Sequence, residues 1–193
     1  MSFNEYKKYL ADTLDLIDEE SIDKFINLLI NYYDENKFIF IIGNGGSAAF
    51  ASHLAEDLAK GTKITNNEKI NKFKRFKALS LTDNTPFITA QGNDEGYESI
   101  FREQLKTFAA EGDLLIAISG SGNSPNIIEA IQWAKESGVE TVGITGFDGG
   151  KLKQMCDLNV HIPINDMGMT ESAHLILLHY IIPKISEILK TKI

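Results

Sequence analysis

Five short runs, each apolar on both faces, constrain the fold of this chain more than any other feature. They are Phe38-Ile39-Phe40-Ile41-Ile42, Ala78-Leu79-Ser80-Leu81, Leu114-Leu115-Ile116-Ala117-Ile118, Thr141-Val142-Gly143-Ile144 and Leu158-Asn159-Val160-His161-Ile162. Between most of them the sequence predicts helices: Ser47 to Lys60, Tyr97 to Ala110, Ser124 to Ser137 and a short one around Lys151 to Met155. Strands buried on both sides and separated by helices imply a parallel sheet in an α/β, three-layer αβα sandwich. Ahead of this alternation, apolar positions three and four apart (Leu10, Leu14, Ile17, then Ile22, Phe25, Ile26, Leu29, Ile30, Tyr33) predict amphipathic helices broken near Glu19-Glu20-Ser21, placed to cover the sheet or a partner subunit. After the last run, Thr170 to Leu189 reads as a long closing helix interrupted or kinked at Pro183.

With 193 residues, 43% of them hydrophobic and 24% charged, the chain can bury one sizeable core. The expected organisation is a single domain, with residues 1–35 as an N-terminal helical segment and residues 36–193 as the αβα core and closing helix. The start, Met1-Ser2-Phe3-Asn4-Glu5-Tyr6-Lys7-Lys8, lacks the pattern of a signal peptide, and no run approaches the roughly 18 apolar residues of a membrane span. A cytoplasmic location away from the membrane is expected. The lone Cys156 can form no internal disulfide, has no Cys or His neighbour at metal spacing, and reads as a half-buried structural residue. A formal net charge of −8 argues against nucleic acid, whose binding draws on phosphate neutralisation. Any phosphate bound here should be a small one in a local pocket.

Two Gly/Ser loops offer such a pocket. Gly43-Asn44-Gly45-Gly46-Ser47 lies between the first strand and a helix, where the glycines permit a sharp turn and Ser47 can cap a helix whose free N–H groups attract an anion. Ser119-Gly120-Ser121-Gly122-Asn123-Ser124-Pro125 follows the central strand in the same way, with Pro125 at the first helical position. Either loop alone could be merely a tight βα turn. Gly43-x-Gly45-x-x-Ala48 also fits a dinucleotide fingerprint, but the acidic residue expected about 20 positions later at the end of the second strand is missing, Asp83 coming too late. No nucleotide cofactor is expected. Loops at strand ends share the carboxyl edge of an open α/β sheet, so the pair favours a phosphorylated ligand rich in hydroxyls.

The two loops, together with Gly92-Asn93-Asp94-Glu95-Gly96-Tyr97, Glu111-Gly112-Asp113, Thr145-Gly146-Phe147-Asp148-Gly149-Gly150-Lys151 and a closing helix carrying His174 and His179, resemble the SIS domain, and within it the sedoheptulose-7-phosphate (phosphoheptose) isomerases, along nearly the whole chain. The resemblance implies a five-stranded parallel sheet and a homotetramer with active sites at subunit interfaces. It places sugar-phosphate contacts at Asn44, Gly45, Gly46, Ser47, Asn93, Asp94, Ser119, Gly120, Ser121 and Ser124, with phosphate on the serine loop and sugar hydroxyls on Asn44, Asn93 and Asp94.

His53 and Asp57 stand four apart on one predicted helix, and Glu171 and His179 eight apart on another, so each pair projects from one face. Read as residues alone, these are material for a zinc-like metal, for acid–base work, or for a surface pair and a core-facing helix. The resemblance favours function: it implies zinc ligands at His53, Asp57, Glu171 and His179, with Asp57 and Glu171 also touching substrate and with Asp57 and His179 as catalytic base and acid. Asp57 stands where the family usually has glutamate, and Glu171 where it usually has glutamine. An arginine common after the first carboxylate is absent, leaving Lys60 or Lys63 as the expected phosphate cation. The alternative is a non-catalytic SIS module, a phosphosugar sensor or a protein-binding tetramer. A sensor would need a DNA-binding segment for which the chain has neither length nor basic charge, and the four side chains able to ligate or transfer protons favour an enzyme.

Overall fold

The structure, a computed structural model, describes residues 1–62 and 74–192. Its centre is a five-stranded sheet, all parallel, in the order β2-β1-β3-β4-β5, built from β1 (Phe38–Gly43), β2 (Lys77–Ser80), β3 (Leu114–Ser119), β4 (Glu140–Thr145) and β5 (Leu158–His161). The register pairs Gly43 with Ile118 and Ser119 with Thr145, so the loops after β1, β3 and β4 leave the sheet at one edge. Alternation along each strand divides the core in two. Ile39, Ile41, Leu114, Ile116, Ile118, Val142 and Val160 face one layer, and Phe40, Ile42, Leu115 and Ala117 face the other.

The first layer holds α2 (Glu19–Glu35), α3 (Gly46–Glu56) and α8 (Met167–Thr191), which bury Phe25, Leu29, Leu54, Leu177, Ile181 and Ile185 on the sheet. The second holds α5 (Ile100–Phe108), α6 (Pro125–Glu136) and α7 (Gly150–Met155), with Phe101, Leu105, Ile127, Ile131 and Leu152 inward. Burying such side chains contributes roughly 1.5–3 kcal/mol each. At the N-terminus, α1 (Phe3–Leu14) starts at a reciprocal capping box: Glu5 N donates to Ser2 Oγ at 3.3 Å and Ser2 N donates to Glu5 Oε2 at 2.6 Å. It packs on α8, while Asp18 caps α2 just before Glu19-Glu20-Ser21, where the break was expected.

Three elements differ from the sequence reading. A helix, α4 (Thr85–Asp94), occupies a stretch that gave no periodic signal, because it buries none of its residues; Asn84 Oδ1 accepting from Phe87 N starts it, with Pro86 in its first turn. The helix expected through Lys60 stops at Glu56 and runs into a π-helical turn, Asp57–Gly61, closed by Thr62 Oγ1 donating to the Leu58 carbonyl at 2.7 Å. The residues before Ile100 form a 3₁₀ turn, Tyr97–Ser99. Pro183 lies inside α8 without ending it. It deprives only the His179 carbonyl of a helical partner, and Ile181, Ile182 and Ile185 around it are buried in the core. Cys156 is half-buried, and burial pushes its thiol up to about 12, as suits a structural residue.

Candidate active site

Strands β1 and β3 are neighbours, but β1 leads into α3 on one face of the sheet and β3 into α6 on the other. The chain therefore leaves a crevice beyond their carboxyl ends, the topological switch point where open α/β sheets bind ligands. Both Gly/Ser loops meet there around a cavity of about 260 Å³ lined by Asn44, Gly45, Gly46, Ser47, Ser119, Gly120, Ser121, Ser124 and Glu171, with Ile118 and Met167.

Gly45 has a φ of 55° and is itself the cap of α3, so the helix begins at Gly46. Ser47 is consequently a buried second residue of the helix and not its cap, as the sequence had suggested. The first-turn amides of Gly46 and Ser47 have no intrahelical acceptor and form the positive end of the helix dipole. In the second loop Gly122 N donates to Ser119 O and Ser119 Oγ, both at 3.1 Å, and Ser124 precedes Pro125 with no side-chain capping bond of its own. The lining supplies hydroxyls and amides; among the described residues its only charged side chain is Glu171, whose Oε1 would be 2.8 Å from a Cβ placed on Gly46. Of the two expected cations, Lys60 does not line the cavity. Lys60 pairs with Glu56 at 3.0 Å on the exposed side, and Lys63 lies outside the described residues.

His53, Asp57 and His179 form a second group. Each offers one ligand atom within 4.8 Å of the others; His53 Nε2 is 3.3 Å from Asp57 Oδ2, and the two imidazole rings are 5.2 Å apart, edge to face. Asp57 opens the π-helical turn that packs on α8, which brings its side chain to His179. Its side chain is 22% exposed and that of His53 41%. Burial pushes the Asp57 carboxyl above its ordinary value, opposed chiefly by His53 beside it. Two imidazoles and a carboxylate fit a divalent ion of borderline softness with an open coordination position. Glu171, expected as a fourth ligand, stands at the cavity between the two Gly/Ser loops, two turns of α8 before His179 and outside the group of three. The two groups share one pair of helices: His53 follows Gly46 by about 10 Å of helical rise along α3, and His179 follows Glu171 by about 12 Å along α8. An adjoining hollow of about 270 Å³, lined by Phe50, His174 and Leu175 and sharing Gly46 and Glu171 with the anion cavity, lies between these helices.

Asn93 and Asp94 end α4, exposed and bonded to each other at 2.8 Å, and do not line the described cavity. Two residues that sequence reasoning passed over do reach it through Asn44: Asn126 and the Tyr97 hydroxyl both bond its side-chain amide. Motif spacing carries no signal for such an amide pair.

The sequence profile of the SIS domain matches residues 3–146, which makes this an SIS-domain protein. Among curated proteins, the phosphoheptose isomerase of Aliarcobacter butzleri is 38% identical over 84% of this chain and 82% of its own length, and that of Clostridium acetobutylicum is 38% identical over 84% and 79%. The solved structure of phosphoheptose isomerase GmhA from Neisseria gonorrhoeae superposes with a TM-score of 0.84 at 30% identity, covering 96% of this chain and 95% of that one. The chain belongs to the phosphoheptose isomerase family of SIS-domain enzymes. Among the described residues no helix is long and apolar enough to cross a membrane.

His174 has a different part. It is 2% exposed, its Nε2 is 3.4 Å from the Thr145 carbonyl, and burial lowers its pKa to about 4. The unfolded chain binds this proton near pH 6.5 and the folded chain does not, so stability from the neutral ring is complete above pH 6.5 and declines as pH falls towards 4. The loss should approach about 3 kcal/mol. Urea unfolding of wild type and His174→Leu across this range is expected to show a steeper acid decline in wild type, and parallel curves would remove His174 as the cause.

Proposed function

We propose that this chain interconverts sedoheptulose 7-phosphate and D-glycero-D-manno-heptose 7-phosphate, the first step towards nucleotide-activated heptose. The observation that carries this reading is the pairing of the loop cavity with a His/Asp/His group about 10–12 Å of helical rise further along the same two helices. The names of the relatives support the substrate.

In this reading the hydroxyls of Ser119, Ser121 and Ser124 and the first-turn amides of α3 hold the phosphate, and Glu171 accepts hydrogen bonds from sugar hydroxyls beside Gly46. Asn93 and Asp94 add hydroxyl contacts from the end of α4. Asp57 removes the proton from C1 of the open-chain ketose, giving an enediolate, and returns it to C2. His179 moves the oxygen-bound proton between O2 and O1, so the carbonyl passes from C2 to C1 with no net change in composition. His53, Asp57 and His179 would hold a zinc ion, whose chemistry when bound is to polarise the sugar oxygens. Burial by itself raises the affinity of Asp57 for a proton, the direction that suits a base, and a bound cation would oppose it.

The enzyme in this reading is cytoplasmic and a homotetramer. Leu175, Ile176 and Tyr180 stand exposed on α8, an apolar surface that a second copy would cover. The test is an NMR assay of purified protein with sedoheptulose 7-phosphate, as isolated, after chelation and after zinc return. Aldose product that disappears with the metal and returns with it supports both substrate and metal. Product insensitive to complete chelation confines the trio to acid–base work, and no product with binding retained refutes the substrate.

A further inference from the structure

The Asn44 side chain has two N–H donors and two acceptor positions. Its Nδ2 donates to Asn126 Oδ1 at 2.9 Å; its Oδ1 accepts from Asn126 Nδ2 at 2.8 Å and from the Tyr97 hydroxyl at 3.0 Å. Both acceptor positions are therefore engaged within the protein, and among the described residues one N–H remains without a partner. Since Asn44 lines the anion cavity, that N–H is its contribution to a ligand. In this arrangement it suits an acceptor such as a phosphate or carbonyl oxygen and cannot receive a proton from a sugar hydroxyl.

Asn126 is 1% exposed, so its amide has little water to replace a lost partner. It occupies the second position of α6, immediately after Ser124 and Pro125, whereas Asn44 belongs to the loop after β1. The reciprocal pair thus spans the switch point and fixes the separation of the two loops. Tyr97 begins the 3₁₀ turn three residues after Asp94 and ties that segment to the same amide.

We infer that Asn126 and Tyr97 are positioning residues: they hold Asn44 as a single hydrogen-bond donor to the anion cavity and lock the two Gly/Ser loops into one cradle. Neither residue touches the ligand; both act through Asn44. The inference rests on the proposed sugar-phosphate reading for its substrate, but the phosphate cradle can be probed without turnover.

The test is a double-mutant cycle read by inorganic phosphate binding in ³¹P NMR titrations and by KM and kcat for sedoheptulose 7-phosphate. Asn126→Ala is expected to weaken phosphate binding and raise KM about tenfold, with kcat changed less than about threefold; Tyr97→Phe should give about threefold on the same quantities. In an Asn44→Ala background both substitutions should have almost no further effect, since the group they position is gone. A general packing defect would weaken binding equally in both backgrounds, and full additivity therefore overturns the inference, as does unchanged phosphate binding in Asn126→Ala. If Asn126→Ala does not fold, Tyr97→Phe, which removes one exposed hydroxyl, completes the cycle alone. Coupling without conversion of the sugar keeps the cradle and refutes the substrate; conversion without coupling does the reverse.

Discussion

Replacing Asp57 with asparagine is expected to lower kcat for isomerisation about 10²–10⁴-fold, the range usual for losing a positioned general base. Asparagine keeps the size of the side chain and one oxygen, so the π-helical turn and its packing on α8 should persist. What it removes is the ability to take a proton from carbon. The anion cavity is built from other residues, and sugar-phosphate binding measured by calorimetry should remain within a few-fold of wild type. Metal content of the purified variant separates two ways of losing activity: a zinc-loaded but inactive Asp57→Asn variant assigns proton transfer to the carboxylate, while a metal-free one assigns at least part of the loss to ligation. Near-normal turnover would sink the assignment of Asp57 as base and turn attention to Glu171, the carboxylate beside the α3 N-terminus.

The fold was legible because its three central strands, β1, β3 and β4, are buried on both faces, although the edge strands β2 and β5, expected to be so too, are partly exposed. Ile39-Phe40-Ile41-Ile42 and Leu114 to Ile118 must be covered on either side, and only helices in the intervening segments can do it. For the opposite reason α4 was not legible: a helix that buries none of its residues leaves no apolar stripe in the sequence. The π-helical turn at Asp57 was also hidden, since 57 and 53 lie on one face under helical spacing whether the turn tightens or widens. Its effect is to aim Asp57 at α8.

The site divides in the same way. The two loops announced themselves through glycine and serine next to strand ends, and the structure brings them to one cavity. His53 and Asp57 were legible as an i, i+4 pair, but that His179 joins them depends on how α8 lies across α3, which no local pattern encodes. His174, five residues earlier in the same helix, is a buried neutral ring on the sheet side. The resemblance implied Glu171 as a metal ligand; in the structure it lines the cavity between the loops, two helical turns before His179 and outside the group of three. The helix pair therefore acts as a scale: its N-terminal portions line the cavity between the two Gly/Ser loops, and about two turns further on it carries the His53, Asp57 and His179 group.

The serine loop depends on a backbone contact that tolerates no side chain, and Gly122→Ala is expected to show it. Gly122 has a φ of 64°, and a Cβ there would stand 2.0 Å from the Gly149 carbonyl oxygen and 2.6 Å from its carbon. The left-handed conformation costs an alanine about 1–2 kcal/mol. Relieving the overlap adds about 1–3 kcal/mol, because the atoms to be moved are backbone and not the end of a flexible side chain. The sum, about 2–5 kcal/mol, should lower Tm by roughly 10 °C for a chain of this size. Displacement should also reach the ligand side. Gly122 N is bonded to Ser119, its carbonyl accepts from Leu152 N, and Gly120 O accepts from Gly146 N, so the loop after β4 cannot move without moving the serine loop. Phosphate affinity is therefore expected to fall at least about tenfold, measured below the lowered melting temperature so that folded protein is compared with folded protein. A variant that melts like wild type would mean that the Gly149 loop yields at little cost, and with it the claim that β4 braces the anion cradle would go. A variant that melts low but binds phosphate normally would keep the strain and detach it from the site.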